Sequence, residues 1–116
     1  MPMPELAQLL NEAKKEVQEI SPDDLKRMQS AGEDFILLDV REPEEVSRGT
    51  INGAIAIPRG LVDVTIDRVT TDKNRKLVLY CAGGVRSVLA GWMLKKMGFR
   101  EVISLAGGYN GWVNSR

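Results

Sequence analysis

Two runs, Phe35-Ile36-Leu37-Leu38 and Leu77-Val78-Leu79-Tyr80, admit few folds. A strand lying on one core face alternates apolar and polar residues. These runs do not alternate, so each asks for cover on both faces, as strands of a parallel sheet receive. The first ends at Asp39 and the second at Cys81. Ala54-Ile55-Ala56-Ile57, closed by Pro58, and Val102-Ile103 supply further strands. Helical patterns lie between them, which makes the expected class α/β.

The helical stretches carry recognisable ends. Over residues 4–19, Leu6, Leu9, Leu10, Ala13 and Val17 recur at steps of three and four, predicting an amphipathic helix with Pro4 in its first turn. Ser21 is an N-cap, Pro22 takes the first helical position, and Asp23 and Asp24 favour the positive helix end. Ala31-Gly32 stops that helix, and Ile20 fits a short strand before it. Residues 42–46 predict a short helix ending at Gly49, and 61–69 a loose one. Residues 87–97 predict a helix apolar almost all round, with Trp92, Met93 and Met97 in the core, stopped by Gly98 after Lys95 and Lys96. Gly107-Gly108 reads as a turn before a tail in which Trp112 caps the core edge.

Composition narrows the chemistry. The 116 residues suit one domain, and a chain of this length buries enough surface to need no disulfide or metal staple. Sixteen Lys and Arg balance sixteen Asp and Glu, leaving no basic excess for nucleic acid or for an anionic membrane. There is no histidine, which removes Ser-His-Asp and Cys-His catalysis and histidine-bound metals. One cysteine makes no disulfide within the chain and no cysteine zinc site. The first residues lack the charge and apolar run of a signal peptide, and no stretch is long enough to span a membrane. A cytoplasmic protein is expected.

The chemistry concentrates in Cys81-Ala82-Gly83-Gly84-Val85-Arg86-Ser87. A buried strand delivers Cys81 to its carboxyl end, where open α/β sheets bind ligands. Gly83 and Gly84 let backbone N–H groups turn inward as an anion nest. The helix starting near Ser87 adds its positive end, and Arg86 adds a forked, permanent charge. All of these favour a thiolate, which is nucleophilic without a histidine base. Asp39 is expected below the loop in a structural role, accepting hydrogen bonds. Arg41 suits an ion pair or a ligand contact, and Arg59 the pocket mouth or plain solvent. Glu44 and Glu45 read as a solvated helix face.

The loop resembles the Cys-x-x-Gly-x-Arg-Ser pattern of the rhodanese family, with Gly84 at its glycine. Asp39-Val40-Arg41 followed by Glu45 is similar to the family's Asp-Val-Arg-x-x-x-Glu signature. Gly49-Thr50-Ile51-Asn52-Gly53-Ala54 with Ile57-Pro58 resembles its Gly-His-Ile-x-Gly-Ala…Ile-Pro element, except that Thr50 replaces the histidine. Leu105-Ala106-Gly107-Gly108 with Trp112 resembles its Leu-x-Gly-Gly-x-x-x-Trp close. The matches keep family order over about residues 20–113. They leave residues 1–18 as an added N-terminal helix and 19–116 as the domain.

The resemblance implies a single domain with a mostly parallel five-stranded sheet and helices on both faces. It implies a sulfurtransferase in which Cys81 takes the outer sulfur of thiosulfate, a polysulfide or a persulfide and passes it to cyanide or a thiol, without a cofactor. Cys81 would be catalytic. Ala82, Gly83, Gly84, Val85, Arg86, Ser87 and Arg59 would bind substrate, with Asp39 and Arg41 supporting. Two alternatives stand beside it. One is a sulfur carrier delivering the persulfide to a protein partner, with the N-terminal helix as a contact. The other is a phosphatase of the dual-specificity type, whose loop holds five residues where this one holds four between Cys81 and Arg86.

Overall fold

The computed structural model describes residues 3–115; the first two residues of the expected 1–18 extension lie outside it. In chain order the elements are α1 (Pro4–Glu16), β1 (Gln18–Ile20), α2 (Pro22–Ser30), β2 (Ile36–Asp39), α3 (Pro43–Val46) and β3 (Ile55–Ala56). Then come α4 (Val62–Thr65) between single 3-10 turns, β4 (Leu77–Tyr80), α5 (Val85–Lys96), β5 (Val102–Leu105) and α6 (Gly108–Asn114).

The five strands form one sheet in the order β1-β5-β4-β2-β3, and every neighbouring pair is parallel. The continuous apolar runs fill the centre: β2 and β4 are buried at every position. Their side chains alternate between two cores. Leu38, Leu77 and Leu79 pack with Val62, Ala90 and Leu94 from the α4 and α5 side. Leu37, Val78 and Tyr80 pack with Leu25 of α2 and with Tyr109 and Trp112 of α6. Helices therefore cover both faces, as the sequence required.

Local chemistry explains several boundaries. Ser21 Oγ accepts from Asp24 N–H at 3.1 Å while the Asp24 carboxylate accepts from Ser21 N–H at 3.0 Å, a reciprocal cap on α2. Gly84, at φ 102°, is the residue before α5; this conformation suits glycine and lets the helix begin at Val85, two residues earlier than its apolar pattern suggests.

Four expectations change. The first helix ends at Glu16, not residue 19, because residues 18–20 pair with Ile103–Leu105 as an edge strand. Leu9 is exposed; Ala13 and Val17 carry the burial. The 54–57 strand shrinks to two exposed edge residues. Trp92, Met93 and Met97 are not core. The sheet and α1 take the faces of α5 that bear Val88, Gly91 and Leu94, leaving Met93 44% exposed and Trp92 half-buried, its indole N–H donating to Glu16 at 2.6 Å. Finally, the chain after Gly107 is not a tail but α6. Two glycines in seven residues disfavour a helix, so tertiary contacts override propensity there.

α1 is tied to the domain by Glu16 and by Val17, which sits 3.3 Å from where a Cβ on Gly91 would lie. No helix of the described residues is long and apolar enough to cross a membrane.

Candidate active site

Cys81 follows the last residue of β4, the middle strand, at the carboxyl end of the sheet. Its sulfur is covered by the loop that follows, and the residue is 1% exposed. The thiol nevertheless does not sit in hydrocarbon alone. Gly84 N–H donates to Sγ at 3.1 Å and Ser87 N–H at 3.4 Å, while Ser87 Oγ lies 3.5 Å away. Burial pushes the thiol pKa up. The Ser87 hydroxyl and the N–H groups of Ser87, Gly84 and Gly83 together outweigh it and bring the group below its ordinary value.

The loop keeps this shape because its carbonyls are engaged on the other side. Tyr109 N–H donates to the Cys81 carbonyl at 2.7 Å, and Asn110 N–H to the Ala82 carbonyl at 3.1 Å. These donors are the first turn of α6. Gly108 makes the approach possible. It holds φ 58°, and a Cβ there would stand 2.4 Å from the Cys81 carbonyl oxygen and 2.5 Å from that of Ala82. With its carbonyls drawn outward, the loop turns N–H groups toward the sulfur.

The cations around the loop are held unequally. Arg86 Nη1 and Nη2 donate to both oxygens of Glu45 at 2.6 and 2.9 Å. Glu45 is thus no solvated face residue: its carboxyl also accepts from Glu42 N–H at 3.0 Å, and the Arg86 bond, then that one, lower its pKa to about 2. Arg41 is buried on Asp39, with Nε 3.0 Å from Oδ1 and Nη2 2.7 Å from Oδ2. Its Nη2 also donates to the Gly49 carbonyl at 2.7 Å, and its guanidinium lies 4.2 Å from the Tyr109 ring centre. Of the two roles open to Arg41, the geometry shows the ion pair.

Arg59 is exposed and pairs with no carboxylate among the described residues. It lines an open cleft of about 490 Å³ together with Glu42, Val85, Arg86, Leu89 and Leu6 of α1. The cleft borders Val85 and Arg86 of the loop and does not reach Cys81, and Arg59 is both exposed and part of its lining.

Residues 21–115 match the family described as rhodanese-like domain. The chain belongs to that family. A sulfurtransferase of Allochromatium vinosum is 33% identical over 96 residues, covering 83% of this rhodanese-like chain and 88% of its own length. A putative sulfur carrier protein of Bacillus subtilis is also 33% identical over 96 residues, and the chain spans 51% of its length. Among solved structures, a Rhodopseudomonas palustris protein of unknown function, described as a possible tyrosine phosphatase, superposes with a TM-score of 0.87 at 29% identity. That match covers 99% of this chain and 96% of the other, so it takes in α1.

The rhodanese-like loop gathers Cys81, Gly83, Gly84 and Ser87 around one sulfur, and holds Arg86 beside it. Ala82 and Val85 contribute no polar side chain, and Val85 is exposed at the cleft. Thr50, at the histidine position, is exposed, and the side-chain hydrogen bonds beside it run from Arg41 to the Gly49 carbonyl and from Ile51 N–H to the Tyr80 hydroxyl, not to Thr50. Besides Glu45, which the sequence puts on a solvated face, sequence reasoning misses two residues. Gly108 reads as a turn in the sequence, although a glycine pair facing a nucleophile loop permits the contact that shapes it. Ser104, whose hydroxyl lies 2.8 Å from Ser87 Oγ, gave a weaker signal: one hydroxyl inside a buried strand.

Proposed function

We propose that this chain moves sulfane sulfur through a persulfide on Cys81. Sulfur transfer in general is supported by the family and by relatives named sulfurtransferase and sulfur carrier. The finer reading rests on one observation: the sole cysteine is buried under its own loop yet meets two N–H donors and a hydroxyl.

The Cys81 thiolate attacks the outer sulfur of thiosulfate, a polysulfide or a low-molecular-weight persulfide. A Cys81–sulfur bond forms as the donor's sulfur–sulfur bond breaks, and its electron pair leaves on sulfite, on the polysulfide shortened by one sulfur, or on a thiolate. The new terminal sulfur bears the negative charge, where N–H groups of residues 83–87 stabilise it as they stabilise the thiolate. A cyanide or thiolate acceptor then takes that sulfur, and the Cys81–sulfur bonding pair returns to Cys81. In this scheme Arg86 holds the loop through Glu45, Arg59 meets the anionic end of a donor at the cleft, and Asp39 and Arg41 support the loop base. Residues 19–116 carry the reaction and residues 1–18 are an addition to it.

The test is intact mass after incubation with thiosulfate, polysulfide and glutathione persulfide. A gain of whole sulfur atoms that disappears in Cys81→Ser is expected. A wild-type protein left unmodified by all three donors would overturn the proposal. p-Nitrophenyl phosphate, offered to the same protein, should not be hydrolysed, because four residues between Cys81 and Arg86 leave a smaller cradle than a phosphoryl group takes in phosphatases.

A second reading has its own support. With Arg86 held by Glu45, the loop keeps no unpaired cation to draw in small dianions. A carrier that receives sulfur from a persulfide and gives it to a protein fits that arrangement. Stoichiometric persulfide formation with very slow multiple turnover from thiosulfate to cyanide would favour the carrier; fast turnover would favour the enzyme.

A further inference from the structure

Every residue of β5 is buried, and its side chains alternate. Ile103 and Leu105 enter the core beneath α2 and α6, and Val102 enters the core beneath α5. Ser104 shares the Val102 side and is 0% exposed, a hydroxyl in an otherwise apolar layer. Burying such a group costs free energy unless it is bonded. Its partner is Ser87 Oγ at 2.8 Å, and Ser87 Oγ lies 3.5 Å from Cys81 Sγ. Ser87 is also 0% exposed, so no solvent can replace either contact.

Counting protons gives this row a direction. Each hydroxyl has one proton to donate. Among the described residues, Ser104 Oγ has no side-chain partner except Ser87. If Ser87 donated to Ser104, the Ser104 proton would have no acceptor and the sulfur would lose a donor. If Ser104 donates to Ser87, both protons are used and the Ser87 proton remains for the sulfur. The second arrangement leaves no buried donor unpaired, and each bond strengthens the next.

We propose that Ser104 is a positioning residue for Cys81: it donates to Ser87 Oγ and thereby commits the Ser87 hydroxyl proton to the sulfur. The inference deepens the proposed function, since it takes Cys81 to react as a thiolate. Ser104 touches neither the sulfur nor a substrate. It acts only through Ser87.

The experiment reads the thiol directly and needs no turnover. Because Cys81 is the sole cysteine, its alkylation by iodoacetamide can be followed across pH without interference. Five proteins are compared: wild type, Ser87→Ala, Ser104→Ala, the double alanine variant and Ser104→Thr. Ser87→Ala should raise the midpoint by about one pH unit and Ser104→Ala by about half a unit, the scale of one hydrogen bond and of its orientation. The double variant should match Ser87→Ala, since Ser104 has nothing left to orient. Ser104→Thr keeps the hydroxyl and should keep the wild-type midpoint.

An unmoved midpoint in Ser104→Ala would overturn the inference. So would a Ser104→Ala shift that adds in full to that of Ser87→Ala, because Ser104 would then act by another route. A threonine variant shifted as far as the alanine variant would overturn it too. A wild-type midpoint at or above the ordinary cysteine value of about 8.5 would instead overturn the reading of Cys81 as a ready thiolate.

Discussion

Two arginines in this chain grip carboxylates with both ends of their forks, and they do different work. Arg41 on Asp39 is shut in: the two side chains are 5% and 0% exposed. A third acceptor, the Gly49 carbonyl, and the Tyr109 ring complete its surroundings. Arg86 on Glu45 is open, at 31% and 30%. The first pair joins the end of β2 to the segment around Gly49. The second ties the loop to α3 from the cleft side. Burial separates their roles, because a buried charge cannot leave its partner for solvent, whereas a half-exposed guanidinium can exchange a carboxylate for an anionic ligand.

The sharpest way to break this contrast is to remove the buried cation. Arg41→Ala leaves the Asp39 carboxylate in the core without its partner, which costs about 3–5 kcal/mol. Urea unfolding should show the loss as a lower midpoint at unchanged slope. A loss under about 1 kcal/mol, the scale of an exposed pair, would erase the distinction. A protein too unstable to isolate is the same result carried further.

How much of this was legible depends on whether the deciding forces were local. The sheet was readable because Ile36–Leu38 and Leu77–Tyr80 are apolar at consecutive positions, a pattern that only two-sided cover explains. Cys81 was readable because strand end, glycines and helix start follow one another in the chain. Arg86 was readable as a loop residue, but not its partner: Glu45 lies 41 residues away, and only the folded chain brings the two to 2.6 Å. Separation in sequence also hid the close approach of Gly108 to the Cys81 and Ala82 carbonyls, and the row from Ser104 to the sulfur. Met93 and Met97 misled for the opposite reason. Their spacing is that of a buried helix face, but the sheet and α1 were already covering the others.

A smaller effect tests the open pair. Glu45→Gln removes the charge and keeps a side chain that can bond Arg86. Stability should fall by about 1 kcal/mol, as expected for a half-exposed pair. The larger change should be in binding, since Arg86 is released toward the cleft. The KM for thiosulfate, a dianion, should drop several-fold more than the KM for an organic persulfide that carries a single negative charge. Equal changes for both donors would mean that Arg86 does not meet the donor's charge even when freed.

The finest distinction comes from pH. Glu45 is held at about 2 in the folded chain, first by Arg86 and then by Glu42 N–H, against 4.5 for an unperturbed group. A carboxyl whose folded value is depressed stabilises the fold fully above its unfolded value and loses that contribution as pH falls toward the folded one. The Glu45–Arg86 share should therefore be complete above about pH 4.5 and drain away between there and about pH 2. Asp24 and Asp34 are also held low, by the Ser21 backbone and by Arg75 respectively, so the whole protein will weaken in acid. Subtraction isolates the pair. The stability difference between wild type and Glu45→Gln should be constant from pH 7 to 5 and shrink toward zero by pH 2. A difference that persists undiminished at pH 2 would mean that the Glu45 contact is packing and not charge, and Arg86 would then be as firmly placed as Arg41.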